Sequence, residues 1–174
     1  MFADPENNIK QFGLREGDTV ADLGAGAGFY TLAAAGAVGK DGKVYAIDIN
    51  LDLLKRVKEE AEGSGLQNVE IIHGDLEKKD GTKLADLSVD AVVASNILFQ
   101  IKNKDVLVKE IYRILKPEGK ALVIDWQDSF GGMGPGKLAI VPPQMTKNFF
   151  EIHGFGIEKE ISAGEHHYGI IFRK

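Results

Sequence analysis

Residues 20–30 read Val-Ala-Asp-Leu-Gly-Ala-Gly-Ala-Gly-Phe-Tyr. The apolar run Thr19–Leu23 predicts a short buried strand. Glycines follow at positions 24, 26 and 28, and residues 29–35 have the pattern of a helix. A strand, a glycine turn and a helix N-terminus form a crevice in open α/β sheets, where the backbone approaches a ligand closely. This stretch therefore predicts an α/β fold with a ligand crevice at the glycines.

The spacing of the glycines separates one nucleotide class from another. A dinucleotide fingerprint is G-x-G-x-x-G, but its third glycine would fall on Phe29 or Thr31 here. The Gly-Lys-Ser/Thr sequence of a P-loop is also absent from the helix start. Asp22 precedes the glycines instead, and a carboxylate there suits a cationic amino-acid group better than a pyrophosphate. The motif therefore favours S-adenosylmethionine as the ligand.

Composition excludes several function classes. The 174 residues are 44% hydrophobic and 27% charged, as in a soluble domain with a substantial core. A net charge of -5 gives no field that would attract nucleic acid or an anionic membrane. Because the chain has no cysteine, disulfides, thiolate metal sites and a cysteine nucleophile are excluded. We expect a cytoplasmic protein without a membrane span, a signal peptide or a metal site.

Strand and helix patterns alternate along the rest of the chain. The predicted strands are 19–23, 43–48, 69–73, 89–94, 121–125, 155–161 and 167–173. The predicted helices are 4–12, 29–37, 50–62, 105–115 and 143–153, with one further helical turn before residue 88. This alternation predicts a largely parallel sheet covered on both faces, with an antiparallel hairpin at one edge. Residues 1–174 are expected to form a single domain, with a short N-terminal helix within 1–13 and a glycine-rich loop at 129–142.

Acidic residues follow four of the predicted strands: Asp22, Asp48, Asp75 and Asp125. Ligands in such sheets bind beyond the carboxyl ends of the strands, so these acids mark a candidate site. Asp48 is placed to accept hydrogen bonds from both hydroxyls of a ribose, since Asn50 is the expected helix cap. Asp75 could accept from an adenine amine, although taken alone it could also be a turn residue.

The remaining candidates surround these acids. Ile49 and Leu76 would enclose the adenine ring, and the glycine backbone with Asp22 would hold the methionine end. Ser95 and Asn96 could form either a turn or a wall of the site. The complete set of candidate cofactor-binding residues is Asp22, Gly24, Ala25, Gly26, Gly28, Phe29, Asp48, Ile49, Asp75, Leu76, Ser95 and Asn96.

Five segments together carry a family resemblance: VADLGAGAGFYTL, KVYAIDIN, HGDL, DAVVASNILFQ and RILKPEGKALVIDW. In this order and spacing the chain resembles class I S-adenosylmethionine-dependent methyltransferases, and most of all small stand-alone members of the ubiquinone/menaquinone-biosynthesis-type branch. The resemblance implies a three-layer Rossmann-like sheet of seven strands, in order 3-2-1-4-5-7-6 with strand 7 antiparallel. It also implies methionine-end contacts from Asp22, Gly24 and Gly26, ribose contacts from Asp48, and adenine contacts from Asp75 and Leu76.

The resemblance does not identify a methyl acceptor. The N-P-P-Y motif of amino-group methyltransferases is replaced by Ser-Asn-Ile-Leu at 95–98, which disfavours an adenine or glutamine-amide target. The lack of cysteine disfavours arsenite methylation. Few residues precede Gly13, so the acceptor pocket is expected to be small, shallow or completed by a partner.

Three residues near the last strands are candidates for acceptor chemistry. His166 and His167 are candidate bases, and Trp126 is a candidate wall of the acceptor pocket. Successive residues of a strand face opposite sides, so the two histidines cannot serve one site, and one packed and one exposed histidine is the simpler interpretation. The glycines at 131–136 could form a lid or a plain surface loop, and apolar residues around them also suit a homodimer or membrane contact.

These features support three functional hypotheses. The first is methyl transfer from S-adenosylmethionine to a small molecule, in keeping with the acidic net charge. The second is methylation of a protein or RNA, which the thin N-terminal cover would allow. The third is a non-catalytic module that binds S-adenosylmethionine, since no acceptor-site base is evident in the sequence.

Overall fold

Helices and strands alternate in the computed structural model, which describes residues 3–129 and 134–174. The strands are β1 (Thr19–Leu23), β2 (Lys43–Asp48), β3 (Val69–His73), β4 (Val89–Ser95), β5 (Leu115–Trp126), β6 (Gly156–Ser162) and β7 (His167–Arg173). The helices are α1 (Pro5–Phe12), α2 (Phe29–Val38), α3 (Leu51–Gly63), α4 (Lys104–Ile114) and α5 (Pro143–Glu151). Within the described ranges, no helix has both the length and the hydropathy needed to cross a bilayer.

The strands form one sheet in the order β3-β2-β1-β4-β5-β7-β6. Strands β3, β2, β1, β4 and β5 are parallel, and β7 is antiparallel to both β5 and β6. The predicted order and the antiparallel strand are therefore confirmed. Because the strand order reverses between β1 and β4, the carboxyl ends of these strands open into a crevice.

Apolar layers cover both faces of the sheet. One face packs against α4 and α5 through side chains such as Ile111 and Phe150, and the Phe150 and Phe172 rings stack with centroids 4.1 Å apart. The other face packs against α1, α2 and α3 through side chains such as Phe12 and Leu54. Each large apolar side chain buried in this way stabilises the fold by about 1.5–3 kcal/mol. The two layers hold the strands, and so the edge where they end, in a fixed arrangement.

Helix α1 ties the N-terminal region to the sheet. Asp4 caps it by accepting a hydrogen bond from the backbone N–H of Asn7, and Gly13 ends it with φ of 73°. The buried Asn8 side chain donates its amide N–H to the Tyr30 hydroxyl, 2.9 Å away, at the start of α2. Since β1 leads into α2, this bond places α1 beside the carboxyl edge of the sheet.

Two segments differ from the sequence-based expectation. Residues 116–119, which lie between the predicted helix 105–115 and the predicted strand 121–125, form the irregular start of β5, where Leu115 already pairs with Val89. Residues 74–88 contain turns but no helix. The buried Glu110 carboxylate holds this segment by accepting from the backbone N–H and hydroxyl of Thr82. Burial alone would raise the pKa of Glu110, but hydrogen bonds from Arg113 and Thr82 outweigh it and lower that pKa.

Candidate functional site

The glycine turn between β1 and α2 forms a cradle of backbone. Gly24, Gly26 and Gly28 all have positive φ, at 74°, 53° and 83°, a region that strongly favours glycine. The N–H groups of Gly24 and Ala25 donate to the carbonyl of Ile47, which fixes the turn against β2. A Cβ added to Gly26 would meet nothing nearer than a backbone oxygen at 3.8 Å. The cradle is therefore open at Gly26, where a ligand can approach the backbone.

Asp48, at the end of β2, is bonded to the cradle and to the N-terminus of α3. Its Oδ2 accepts from the N–H of Gly26 at 2.9 Å, and its Oδ1 accepts from the N–H of Asn50 at 2.8 Å. Asn50 caps α3, as expected from the sequence. An ionised carboxylate has about four lone-pair positions, so each oxygen can accept one further bond. Asp48 is thus pre-oriented to receive a vicinal diol.

A cavity of about 390 Å³ lies over the cradle, within the range of about 300–1,000 Å³ typical of small-molecule sites. The predicted residues that line it are Gly24, Gly26, Asp48, Ile49, Asp75 and Leu76. The sequence reasoning missed the others, which are Leu53, Gly74, Glu77, Ile97, Gln100 and Ile101. The turn after β4 was a detectable signal, since residues 97–100 belong to one of the segments that carry the family resemblance.

The far end of the cavity combines a polar acid with apolar walls. The Oδ1 atom of Asp75 accepts from the N–H of Glu77, and its Oδ2 lies 3.1 Å from the Lys78 ammonium. The bond from Lys78, with that from Glu77, lowers the pKa of Asp75, so this carboxyl is ionised at neutral pH. Leu76 is buried and Ile49 is 65% exposed, so together they offer apolar surface to a flat ring.

Asp22 lies beneath the cradle and does not line the cavity. Its carboxyl is 2% exposed, and its Oδ2 accepts from the Thr31 hydroxyl at 2.6 Å. Burial raises the pKa of Asp22 to about 6, the Thr31 bond opposes this rise, and the negative charge of Asp48 adds to it. A cation bound above the cradle would favour the ionised form, because opposite charges lower the pKa of an acid.

Other predicted cofactor residues also lie away from the cavity. Phe29 does not line this cavity: the first turn of α2 directs its side chain outward, where it is 66% exposed in a groove beside α1. Gly28 is the N-cap of α2, and a Cβ there would collide with Val57. Ser95 and Asn96 end β4, and each has a buried side-chain oxygen without a partner among the described residues.

Asp125, the fourth strand-end acid, has a structural role. Its Oδ1 accepts from the N–H of Trp126 and its Oδ2 from the N–H of Leu98, both at 2.8 Å. The side chain is fully buried, and burial raises its pKa to about 6. The expected row of four acids is therefore incomplete: three surround the cradle and cavity, while Asp125 fastens β5 to the turn after β4.

The two candidate bases have different surroundings. The Nδ1 atom of His166 lies 2.7 Å from Oδ1 of Asp128 near the surface. His167 is 5% exposed and pairs in register with Trp126, with ring centroids 4.2 Å apart. Both nitrogens of the His167 ring lack a partner in the described part of the chain.

Residues 131–133 of the predicted lid at 131–136 lie outside the described residues. Of the part that is described, Gly134 packs against the Trp126 ring, which a Cβ would approach to 2.7 Å. Leu138 is fully exposed beyond it, and Val141 is buried.

The geometry fits the predicted ligand. Carboxyl groups lie beneath the cradle, at its rim and at the far end of the cavity, which suits a ligand with cationic amine and sulfonium groups and opposes a pyrophosphate. The open position at Gly26, the free lone pairs of Asp48 and the apolar walls suit an amino-acid end, a ribose and an adenine in turn.

Comparison with known proteins gives the same picture. The methyltransferase-domain family matches residues 14–171. The chain is 32% identical to an arsenite methyltransferase of Halobacterium salinarum over 68% of its length and 30% of that protein. It is 35% identical to a ubiquinone/menaquinone biosynthesis C-methyltransferase of Escherichia coli over 66% of its length and 45% of that protein. The chain thus spans less than half the length of either curated relative.

A solved structure matches over nearly the whole chain. An S-adenosylmethionine-dependent methyltransferase of Aquifex aeolicus superimposes with a TM-score of 0.88 and 30% identity, covering 99% of this chain and 90% of that one. The family match extends over the cradle, the cavity and all seven strands. With this fold and this match, the chain belongs to the methyltransferase-domain family and has the fold of class I S-adenosylmethionine-dependent methyltransferases.

Proposed function

We propose that this chain transfers the methyl group of S-adenosylmethionine to a small-molecule acceptor. The observation that carries the proposal is the single cavity that Gly26, Asp48 and Asp75 line together. Gly26 suits the methionine part of one such ligand, Asp48 its ribose and Asp75 its adenine.

Each group has a separate role in this proposal. Asp48 accepts from both ribose hydroxyls, while its existing bonds to Gly26 and Asn50 hold the carboxylate in place. Asp75 accepts from the adenine amine, and Leu76 and Ile49 enclose the ring. These contacts orient the ligand before reaction, as the proposal requires.

The protein supplies alignment and exclusion of water. The bound cofactor supplies a sulfonium methyl group that is already a strong electrophile. Holding an acceptor in line with it is worth up to about 7–11 kcal/mol of the barrier. The residues of the cradle need no metal for this, because the leaving group departs as a neutral thioether.

A small-molecule acceptor is favoured by two observations. The net charge of -5 gives no long-range attraction for RNA. Of the two curated relatives, one is named an arsenite methyltransferase and the other a C-methyltransferase of ubiquinone/menaquinone biosynthesis.

Isothermal titration with S-adenosylhomocysteine tests the binding site. We expect Asp48→Ala to weaken binding at least about 100-fold, since two hydrogen bonds to a charged group are lost at about 1.5–3 kcal/mol each. Asp52→Ala is the matched control, because Asp52 is exposed in the first turn of α3 and lies outside the cavity. Wild-type protein that binds no ligand, or a variant that binds normally, would reject the assigned site.

Labelled methyl transfer tests the acceptor class. The protein is incubated with methyl-labelled S-adenosylmethionine and with either the small-molecule or the macromolecular fraction of a cell extract. We expect label in the small molecules and release of S-adenosylhomocysteine. Label confined to protein or RNA would reject the small-molecule proposal, and binding without turnover in any fraction would indicate a non-catalytic module.

A further inference from the structure

Four residues carry buried side-chain atoms that have no hydrogen-bond partner within the described ranges. They are Asn8, Ser95, Asn96 and His167, and in His167 both ring nitrogens are unpaired. Folded proteins pair nearly all buried polar groups, so each exception requires an explanation. Asn8 is 1% exposed and His167 is 5% exposed. None of the four lines the cavity assigned above to the cofactor.

The topology brings three of these residues to one face and one edge of the sheet. Ser95 pairs in register with Ile124, whose side chain packs in the layer of α1, α2 and α3. Trp126 lies two residues further along β5 and therefore faces the same side, as does its register partner His167. Asn8 enters from α1 above this face. Ser95 and His167 thus face the same side of the sheet from β4 and β7, with β5 between them, and α1 brings Asn8 to this side.

The Tyr30 hydroxyl links these residues to the cofactor cradle. The hydroxyl accepts from the Asn8 amide at 2.9 Å. Tyr30 is the second residue of α2, which begins directly after the glycine turn. Burial raises the pKa of the Tyr30 phenol, and the nearby side chains of Asn8 and Ser95 partly oppose that rise. Asn8, Tyr30 and Ser95 therefore form a continuous polar wall that leads away from the cradle.

The unpaired groups are uncharged, which limits the ligand that they accept. Burial, with a smaller effect from His166, lowers the pKa of His167, while Asp128 opposes the change, so the ring is neutral at pH 7. A neutral imidazole has one N–H donor and one acceptor nitrogen. An anionic ligand would be repelled here, because the charges that act on Tyr30 and His167 include the carboxylates of Asp4, Asp22 and Asp128. A hydroxyl group, which both donates and accepts, matches the unpaired atoms.

We propose that Asn8, Ser95 and His167 form the subsite for the methyl acceptor, that the acceptor is an uncharged molecule with a hydroxyl group, and that His167 takes its proton. The acceptor oxygen forms a bond to the methyl carbon while the carbon–sulfur bond breaks, and its electron pair remains on sulfur. The hydroxyl proton passes to the unprotonated ring nitrogen of His167 and then to solvent. This inference rests on the function proposed above.

A hollow of about 300 Å³ provides the approach to this subsite. It is lined by Asp4, Asn7 and Asn8 of the α1 region and by residues 162–165 of the β6–β7 turn. Asn8 lines the hollow and also contacts Tyr30, so it stands between solvent and the subsite. The ring nitrogens of His167 have almost no exposed surface, so the acceptor has to displace neighbouring side chains to reach them.

His167→Gln tests the proposal, with His166→Gln as the matched control on the neighbouring residue. Transfer of labelled methyl to the small-molecule fraction should fall at least about 100-fold in His167→Gln, the usual contribution of a general base, and stay unchanged in His166→Gln. Titration with S-adenosylhomocysteine should give equal affinities in all three proteins. In the wild type the rate of methyl transfer should decrease when the pH is lowered past the pKa of His167. The residual rate of His167→Gln should not show this decrease at acid pH.

Trp126 gives a readout that does not depend on turnover, because it is the single tryptophan of the chain. An imidazolium quenches indole emission more than a neutral imidazole does, and the His167 ring is 4.2 Å away. Emission should titrate with a midpoint below 6.5 in the wild type and in His166→Gln, and this step should be absent from His167→Gln. Ser95→Ala removes one hydroxyl group. It should raise the concentration of the small-molecule fraction that gives half-maximal methyl transfer about tenfold, as expected for the loss of one hydrogen bond.

The outcomes separate this inference from the proposed function. Wild-type protein that fails to bind S-adenosylhomocysteine would remove both. Normal cofactor binding with full methyl transfer in His167→Gln would overturn the role of His167 alone. The same conclusion would follow if the His167-dependent step in Trp126 emission were missing or lay above 6.5.

Discussion

Replacing Asp22 by Asn should stabilise the protein and weaken its cofactor site at the same time. The pKa of Asp22 rises from 3.8 to about 6 because the carboxyl is buried. A folded state that holds its proton more tightly loses stability as the pH rises through this range. With about 1.4 kcal/mol for each pH unit, the ionised carboxylate costs the folded protein about 3 kcal/mol at pH 8. Asn carries no charge, and its amide oxygen can still accept from Thr31.

The pH dependence makes this prediction specific. The gain in unfolding free energy of Asp22→Asn over the wild type should be below about 1 kcal/mol at pH 4 and about 3 kcal/mol at pH 8. Urea denaturation at both pH values measures it, and at pH 8 the melting temperature should rise by about 6–12 °C. Asp52→Asn is the control, since the Asp52 side chain is 87% exposed and its change should alter neither quantity.

Cofactor affinity should move in the opposite direction. The cationic amine of the ligand loses its buried counter-charge, so the dissociation constant of S-adenosylhomocysteine at pH 8 should rise about 10-fold to 100-fold in Asp22→Asn. The same titration calorimetry used for Asp48→Ala measures it. A variant that is less stable than the wild type at pH 8 would refute the reasoning from burial. Unchanged affinity would refute the placement of the methionine end above Asp22.

Three further substitutions test other parts of the structure. Gly26→Ala should cost about 1–2 kcal/mol of stability, because the φ angle of Gly26 is positive, and should reduce cofactor affinity more than tenfold, because the added Cβ fills the cradle. Gly13→Ala is the control: Gly13 also has a positive φ but lies in open space, so this variant should lose only stability. Asp125→Asn should change the stability at pH 8 much less than Asp22→Asn does, because the gain from removing a buried charge is offset by the loss of one of two backbone hydrogen bonds, at about 1–3 kcal/mol, and thermal denaturation measures the difference. Glu110→Gln should destabilise the fold by about 1–3 kcal/mol and accelerate hydrogen exchange at residues 77–88. Because the pKa of Glu110 is lowered in the fold, this loss of stability should shrink as the pH falls below about 4.5. Unchanged exchange in this last variant would show that Arg113 holds the segment without Glu110.

Local sequence patterns predicted most of the fold correctly. The predictions were wrong where the structure depends on contacts between residues that are far apart in the sequence. The Asn50 cap and the glycine turn were predictable because a few neighbouring residues determine their backbone conformation. The start of β5 at Leu115 was not, because its pairing with Val89 depends on a neighbouring strand. The absence of a helical turn at 74–88 likewise depends on Glu110, which reaches this segment from α4.

The sequence by itself determined the order of the elements, the cradle and the place of Asp48, because periodicity and motif spacing act over short stretches of chain. Only the tertiary structure decided which acids line the cavity. It buries Asp22 beneath the cradle and commits Asp125 to two backbone N–H groups. It also separates the adjacent histidines, leaving His167 unpaired within the described ranges while His166 contacts Asp128. The burial of a side chain and its hydrogen-bond partners determine its charge and which of its donors and acceptors remain available. Burial and partners in turn arise from packing between distant segments of the chain.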